Sequence, residues 1–262
     1  MKSKKDERIG EVKINKDSLG RYEMKIVEYK NYDDIIVEFQ DKYRVKVHTT
    51  YNNFKKGKVK NPYYPSVCDI GYVGEGRYKI SENGKPTKIY DHWRHMLMRC
   101  YDPYYLNKET TYVNCYVCEE WHNFQKFAQW WEENYYECNN EKMNLDKDIL
   151  CKGNKIYSPE MCCIIPQKIN NLFIKSDASR GKYPIGVSYD KTSNKFRVYC
   201  SILDENNNKN KYLGRYDSVE EAFLAYKIFK ESYIKEIADK YKDLIPQKLY
   251  DALYRWEVEI DD

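Results

Sequence analysis

The chain has 262 residues, with 45 Lys and Arg against 41 Asp and Glu and a formal net charge of +4. Aromatic residues make up 16% of it, 28 of them Tyr, so tyrosine must supply much of the core, and the composition disfavours a wholly disordered chain. No window approaches the roughly 18–20 consecutive apolar residues of a membrane span, and Met1-Lys-Ser-Lys-Lys-Asp-Glu-Arg8 lacks the apolar stretch of a signal peptide, so an intracellular, cytoplasmic protein is expected. Nine cysteines at irregular positions suit reduced thiols or a metal site better than a disulfide framework. The pattern along the chain predicts an α+β, multidomain protein: an N-terminal β-rich basic module (residues 1–66), a central module (67–176), and a C-terminal three-stranded sheet plus helix (177–262).

In the N-terminal module, Tyr22–Tyr29, Ile35–Phe39 and Tyr43–His48 mix β-branched and aromatic residues with polar ones at near-alternate positions, which predicts strands. From Met1 to Ser66 there are 16 Lys/Arg against 10 Asp/Glu, with a cluster at Lys55, Lys56, Lys58 and Lys60. Such a patch can hold phosphates by releasing counterions; the alternative is a Lys-rich surface that only keeps the protein soluble. A short β segment, Gly71–Ile80, is expected to form a hairpin with Pro86–Tyr90 around the Asn83-Gly84 turn signal.

In the central module, Trp93, Met96, Leu97 and Cys100 recur at i, i+3, i+4, i+7, one apolar face of a helix over 91–101. Trp121, Phe124, Phe127, Ala128 and Trp131 predict a second helix over 121–131. Trp93, Arg99-Cys100-Tyr101, Val117-Cys118-Glu-Glu-Trp121, Leu145-Asp146-Lys147-Asp148 and Tyr157-Ser-Pro-Glu-Met-Cys162 resemble phage endonucleases of the HNH, or homing, type over about eighty residues. The resemblance implies a hairpin-and-helix (ββα) metal motif, in which one divalent cation steadies the scissile phosphate and a His acts as general base; for a phage-encoded chain, the compartment is the host cytoplasm.

The sequence departs from that pattern at two points. Lys147 stands where the general-base His belongs, and a protonated amine is a poor proton acceptor at neutral pH. Met161 stands where a metal-binding Asn is expected, and a thioether does not suit Mg²⁺. Asp146 and Asp148 remain, with Asn154 as a further oxygen donor. As alternating strand positions the two acids would share a face and could hold Mg²⁺, with Lys147 or a water in the place of the base; otherwise they are solvated acids beside Lys147 and Lys152.

Cys115-x-x-Cys118 has the knuckle spacing of a zinc site, which Cys162 and Cys100 could complete. Packing beside Trp93 and Trp121 explains the same cysteines as small buried hydrophobes. The histidines, His48, His92, His95 and His122, form no metal-ligand repeat and read as exposed polar residues.

The C-terminal module reads as strands over 183–189, 195–202 and 211–216, then a long helix over 217–238 opened by a capping box of Ser218 and Glu221. Strand parity turns Phe196, Val198, Cys200 and Ile202 towards the helix and Arg197, Tyr199 and Ser201 away from it. From Arg180 to Arg215 there are 8 basic and 3 acidic residues, and from Asp217 to Lys240 there are 4 and 6, so a basic sheet is backed by a slightly acidic helix. A final helix is expected over 244–256, followed by a frayed acidic tail from Glu257 to Asp262.

Gly186-Val-Ser, Lys195-Phe-Arg-Val, Tyr212-Leu-Gly-Arg-Tyr-Asp-Ser-Val-Glu-Glu-Ala222 and Ala225-Tyr226 resemble the Apetala-type (ethylene-response-factor) DNA-binding domain over about sixty residues. That family lays its sheet in the major groove of double-stranded DNA. The resemblance implies a reading face of Ser188, Lys195, Arg197, Tyr199, Ser201 and Tyr212, although Ser188 and Ser201 replace family arginines. Together the two resemblances imply a DNA-binding protein capable of metal-dependent nicking. The alternative is a catalytically inactive DNA-binding factor, or one that contacts a protein partner, on the same scaffold.

Overall fold

The computed structural model describes residues 7–16, 22–108, 110–174, 181–203 and 208–262. In the first part of the chain, β1 (Val12–Ile14), β2 (Glu23–Asn31), β3 (Asp34–Phe39) and β4 (Lys46–Thr49) pair antiparallel in chain order. Met24, Ile26, Ile35, Val37 and Phe39 alternate inward and are buried. The pairing of β2 with β3 shifts between Ile26 and Glu28, and this irregularity turns Tyr29 rather than Glu28 into the core. α1 (Tyr51–Lys56) is capped by Thr50 Oγ1, which accepts from Asn53 N–H at 3.2 Å, and it ends at Gly57, whose φ of 69° suits glycine.

Asn83 and Gly84 both take positive φ (49° and 75°), the backbone of a tight two-residue turn between β5 (Ser81–Glu82) and β6 (Lys85–Pro86). The hairpin is shorter than expected. Gly71–Ile80 forms no continuous strand, because its backbone bonds go to scattered partners: Tyr72 N–H donates to His122 O at 2.9 Å, Gly74 N–H to Pro62 O at 2.8 Å, and Tyr78 N–H to Gln125 Oε1 at 2.9 Å, while Gln125 Nε2 donates to Tyr78 O at 3.0 Å. The returning strand stops at Pro86 instead of running to Tyr90, because Thr87 caps α2 (Lys88–Tyr101) by accepting from Tyr90 N–H at 3.3 Å. The apolar stripe of α2 is buried as expected, and Trp93 Nε1–H donates to the carbonyl of Trp121 at 2.7 Å.

Then follow α3 (Pro103–Lys108), β7 (Tyr116–Val117), α4 (Phe124–Asn134), β8 (Met143–Asp146), β9 (Ile156–Tyr157), β10 (Cys163–Pro166) and α5 (Gln167–Asn171). The expected helix over 121–131 starts later, at Phe124, because a single 3-10 turn occupies Glu119–His122. β8 pairs antiparallel with β10, and β7 pairs parallel with β9.

The last part holds β11 (Val187–Asp190), β12 (Lys195–Leu203) and β13 (Asn208–Tyr216), an antiparallel sheet in chain order, then α6 (Val219–Tyr241) and α7 (Gln247–Tyr254). Ser218 Oγ accepts from Glu221 N–H at 3.1 Å, as the capping box requires. Val198, Cys200, Ala222 and Tyr226 form the core between sheet and helix.

The expected fraying of the tail is corrected. Val258 is buried, its N–H donates to Glu231 at 2.8 Å, its carbonyl accepts from Lys227 Nζ at 2.7 Å, and Asp262 pairs with Lys152 at 2.7 Å.

The architecture is α+β and built from several small sheets with helices. The chain divides into two units, one of Met1–Thr110 with Glu119–Gln129 and one of Thr111–Cys118 with Trp130–Asp262. The expected module edge at 66/67 falls inside the first unit, and the edge at 176/177 lies outside the described residues. Among the described residues no helix is long and apolar enough to cross a membrane.

Candidate nucleic-acid interface

The outward face of β11, β12 and β13 is set by register. Ser188, Arg197 and Arg215 are partners across the three strands, Tyr199 faces Tyr212, and Ser201 faces Asn210. Tyr199 and Tyr212 are exposed, with ring centroids 5.2 Å apart, and Ser201 Oγ–H donates to Asn210 Oδ1 at 2.8 Å. Tyr212 and Arg215 are three residues apart and could not share a face of a regular strand. The pairing shifts between Val198 and Tyr199, where Gly214 opposes Val198 with a φ of 137°, and this irregularity places both residues on one face.

The cations of this face have acidic neighbours. Arg197 Nε and a terminal nitrogen of Arg215 lie 3.7 and 3.5 Å from Asp190, and Lys195 pairs with Asp217 at 3.0 Å. The Ser193 hydroxyl holds the Asp190 carboxyl below the usual carboxylate range, helped by the N–H of Thr192 and then by the two arginines. At 3.7 and 3.5 Å the arginine contacts are loose, so guanidinium N–H groups remain for another partner. Ser188, Lys195, Arg197, Tyr199, Ser201 and Tyr212 are thus gathered on one face, which Arg215 and Asn210 extend. Gly214 is the one trace in the sequence of the register that brings Arg215 there.

In the first unit, Lys55, Lys56 and Lys58 are exposed around the end of α1 and form no ion pair among the described residues. His48 is also exposed and hydrogen-bonds Asp34 at 2.6 Å.

Asp146, Lys147, Asp148 and Asn154 lie in one polar cluster of the second unit, arranged differently from the expected strand. β8 ends at Asp146, so Asp148 does not alternate with it along a strand. Instead Asp146 Oδ1 accepts the N–H groups of Asp148 (2.9 Å) and Ile149 (2.7 Å) and closes a turn. The Lys147 side chain, 6% exposed, donates to the Asp148 carboxylate and to the Asn154 carbonyl, the latter at 2.9 Å. Asn154 Nδ2–H donates to the carbonyls of Lys147 and Ile156, both at 2.7 Å. Burial raises the Asp146 carboxyl above the usual carboxylate range, against the two N–H groups it accepts. The donors do not fit a divalent cation as they stand. The positive charge beside Asp148 is already the Lys147 ammonium, and Asn154 is committed to the backbone.

Cys115 and Cys162 are buried, and Cys118 is half-buried. Cys100, which is buried too, belongs to the first unit. Burial raises the Cys162 thiol well above its ordinary value. Among the described residues no three His, Cys, Asp or Glu side chains converge as metal ligands.

Comparison with protein-family models, with curated proteins and with solved structures found no match.

Proposed function

We propose that this protein binds double-stranded DNA through the outward face of β11, β12 and β13. The observation that carries this reading is the paired row of Arg197 with Arg215 and Tyr199 with Tyr212 on a sheet whose other face is buried against α6. Three strands at about 4.8 Å spacing make a surface roughly 10 Å across, which matches a major groove about 12 Å wide. Arginines there can form bidentate bonds with guanine or phosphate, the tyrosines add stacking area, and Ser201 and Asn210 add polar contacts. Lys55, Lys56 and Lys58 would add sequence-independent affinity for phosphates. The likeness to the Apetala-type domain belongs to the same reading.

The HNH likeness enters as a scaffold. The bond network of Lys147 and Asn154 supports a structural role for the cluster at 146–154. A second reading, contact with a protein partner, is favoured by Leu224 and Ile228, which are 54% and 61% exposed one turn apart on α6.

The test is a mobility-shift assay titrated with salt, comparing the wild type with an Arg197→Ala, Tyr199→Ala variant. Affinity is expected to fall at least tenfold, and the salt slope to fall by about 1. Unchanged binding would remove the sheet from the interface. The same samples, incubated with supercoiled plasmid and Mg²⁺ or Mn²⁺, report nicking. Metal-dependent nicking that disappears in Asp146→Asn, with binding intact, would restore the cluster as catalytic.

A further inference from the structure

β12 runs on past the end of β11, and beside this overhang the second unit has a cleft of about 460 Å³. That volume lies in the range of small-molecule sites, roughly 300–1,000 Å³. Leu172, Ile185, Trp256 and Val258 give it apolar walls, and Lys230 of α6 lines it as well. Lys230 is 8% exposed, and among the described residues its ammonium makes no hydrogen bond or ion pair. An ammonium on a side chain this far shielded by protein favours a counter-charge, and among the described residues the groups around it do not supply one. Cys200 lies close by, but burial raises its thiol above the ordinary value and keeps it neutral. Asp262, also at the cleft, is already bonded to Lys152 at 2.7 Å. Among the described residues the charge left over in the cleft is positive and single, and the lining around it is about half apolar, with Ser188, Ser201 and Asn210 on its polar side.

We propose that this cleft binds a small anion with an apolar body, an aromatic or aliphatic carboxylate or sulfonate, with Lys230 as its counter-ion. One cation in a lining that is half apolar suits a monoanion with an apolar body, whereas a phosphate favours several cationic donors. The site does not depend on DNA binding. Its ligand would also lie next to Tyr199 and Ser201, which line both the cleft and the outward face of the sheet.

The test is fluorescence titration of the full chain with anilinonaphthalene sulfonate, followed by competition with decanoate and with decanol. The expected result is one saturable site, displaced by decanoate and not by the neutral alcohol. Binding should weaken about tenfold in Lys230→Met, which keeps the apolar stem and removes the charge. Ile174→Trp, which narrows the cleft from an exposed position, should weaken it while leaving Lys230 in place. A melting curve for each variant reports folding. Equal binding by the wild type and both variants, equal displacement by acid and alcohol, or the lack of a saturable site would overturn the proposal.

Discussion

Arg197 and Arg215 are register partners on adjacent strands, and both approach one carboxylate, Asp190, at 3.7 and 3.5 Å. Two like charges directly opposite each other on a sheet repel. Asp190 offsets that repulsion and also lowers the positive potential of the face. Asp190→Asn keeps an oxygen for the Thr192 N–H and removes the charge, so DNA affinity should rise by about two- to tenfold, with a steeper salt dependence. A loss of affinity in the shift assay would show that the carboxylate organises the arginines.

The same residue predicts a pH dependence. The Asp190 carboxyl is held below its ordinary value, so its contribution to stability is complete above about pH 4 and is lost as pH falls through the lowered value. The wild type should therefore be more stable than Asp190→Asn at neutral pH, and the difference should close on acidification. Thermal melts of both proteins down to pH 2 check this.

Burial lowers Lys230 below the usual lysine range. Below that lowered value the folded state carries the full penalty of a buried charge, and above about pH 10.4 it carries none, because the amine is then neutral in folded and unfolded chains alike. Lys230→Met should thus be stabilising at pH 7 by roughly 1–3 kcal/mol, with the advantage shrinking as pH rises. Urea unfolding at pH 7 and pH 10 measures it, and a gap that widens with pH would contradict it.

Trp93 Nε1–H donates to the carbonyl of Trp121 inside the core of the first unit. Trp93→Phe deletes the donor and part of a buried ring, and should cost about 2–4 kcal/mol. A lower denaturant midpoint at an unchanged slope would report that loss.

The end of the chain is pinned through Val258 and Asp262. Removing Val258–Asp262 should cost about 2 kcal/mol for the buried valine alone and lower the melting temperature. An unchanged melt would mean that the tail frays after all.

Where elements follow local rules, they were legible in the sequence. The stripe Trp93, Met96, Leu97, Cys100 forms the buried side of α2, and the alternation along β12 buries Val198 and Cys200 while exposing Tyr199 and Ser201. The Ser218 cap and the Asn83-Gly84 turn depend only on residues one to three positions apart. The acids at 146 and 148 were not legible in the same way: the alternation assumed for them ends at Asp146, whose carboxylate takes up the next N–H groups as a turn. β1 was missed because its three residues are not buried and are held by pairing with β2. Gly71–Ile80 read as a strand, but its hydrogen bonds go to scattered and distant partners, Tyr72 to His122 and Phe124 and Tyr78 to Gln125.

By itself the sequence determined the α+β composition, the basic sheet with its acidic helix, and which side of β12 faces outward. Side-chain periodicity and capping act between near neighbours, so the order of residues suffices for them. Only the tertiary structure decided that Arg215 joins Arg197, Tyr199 and Tyr212, that Lys147 is enclosed by Asp148 and Asn154, and that Lys230 lies beside an open cleft without a partner among the described residues. Those outcomes depend on register shifts, on burial and on contacts between distant segments. Their energies come from desolvation and from pairing across the fold, which no local pattern records.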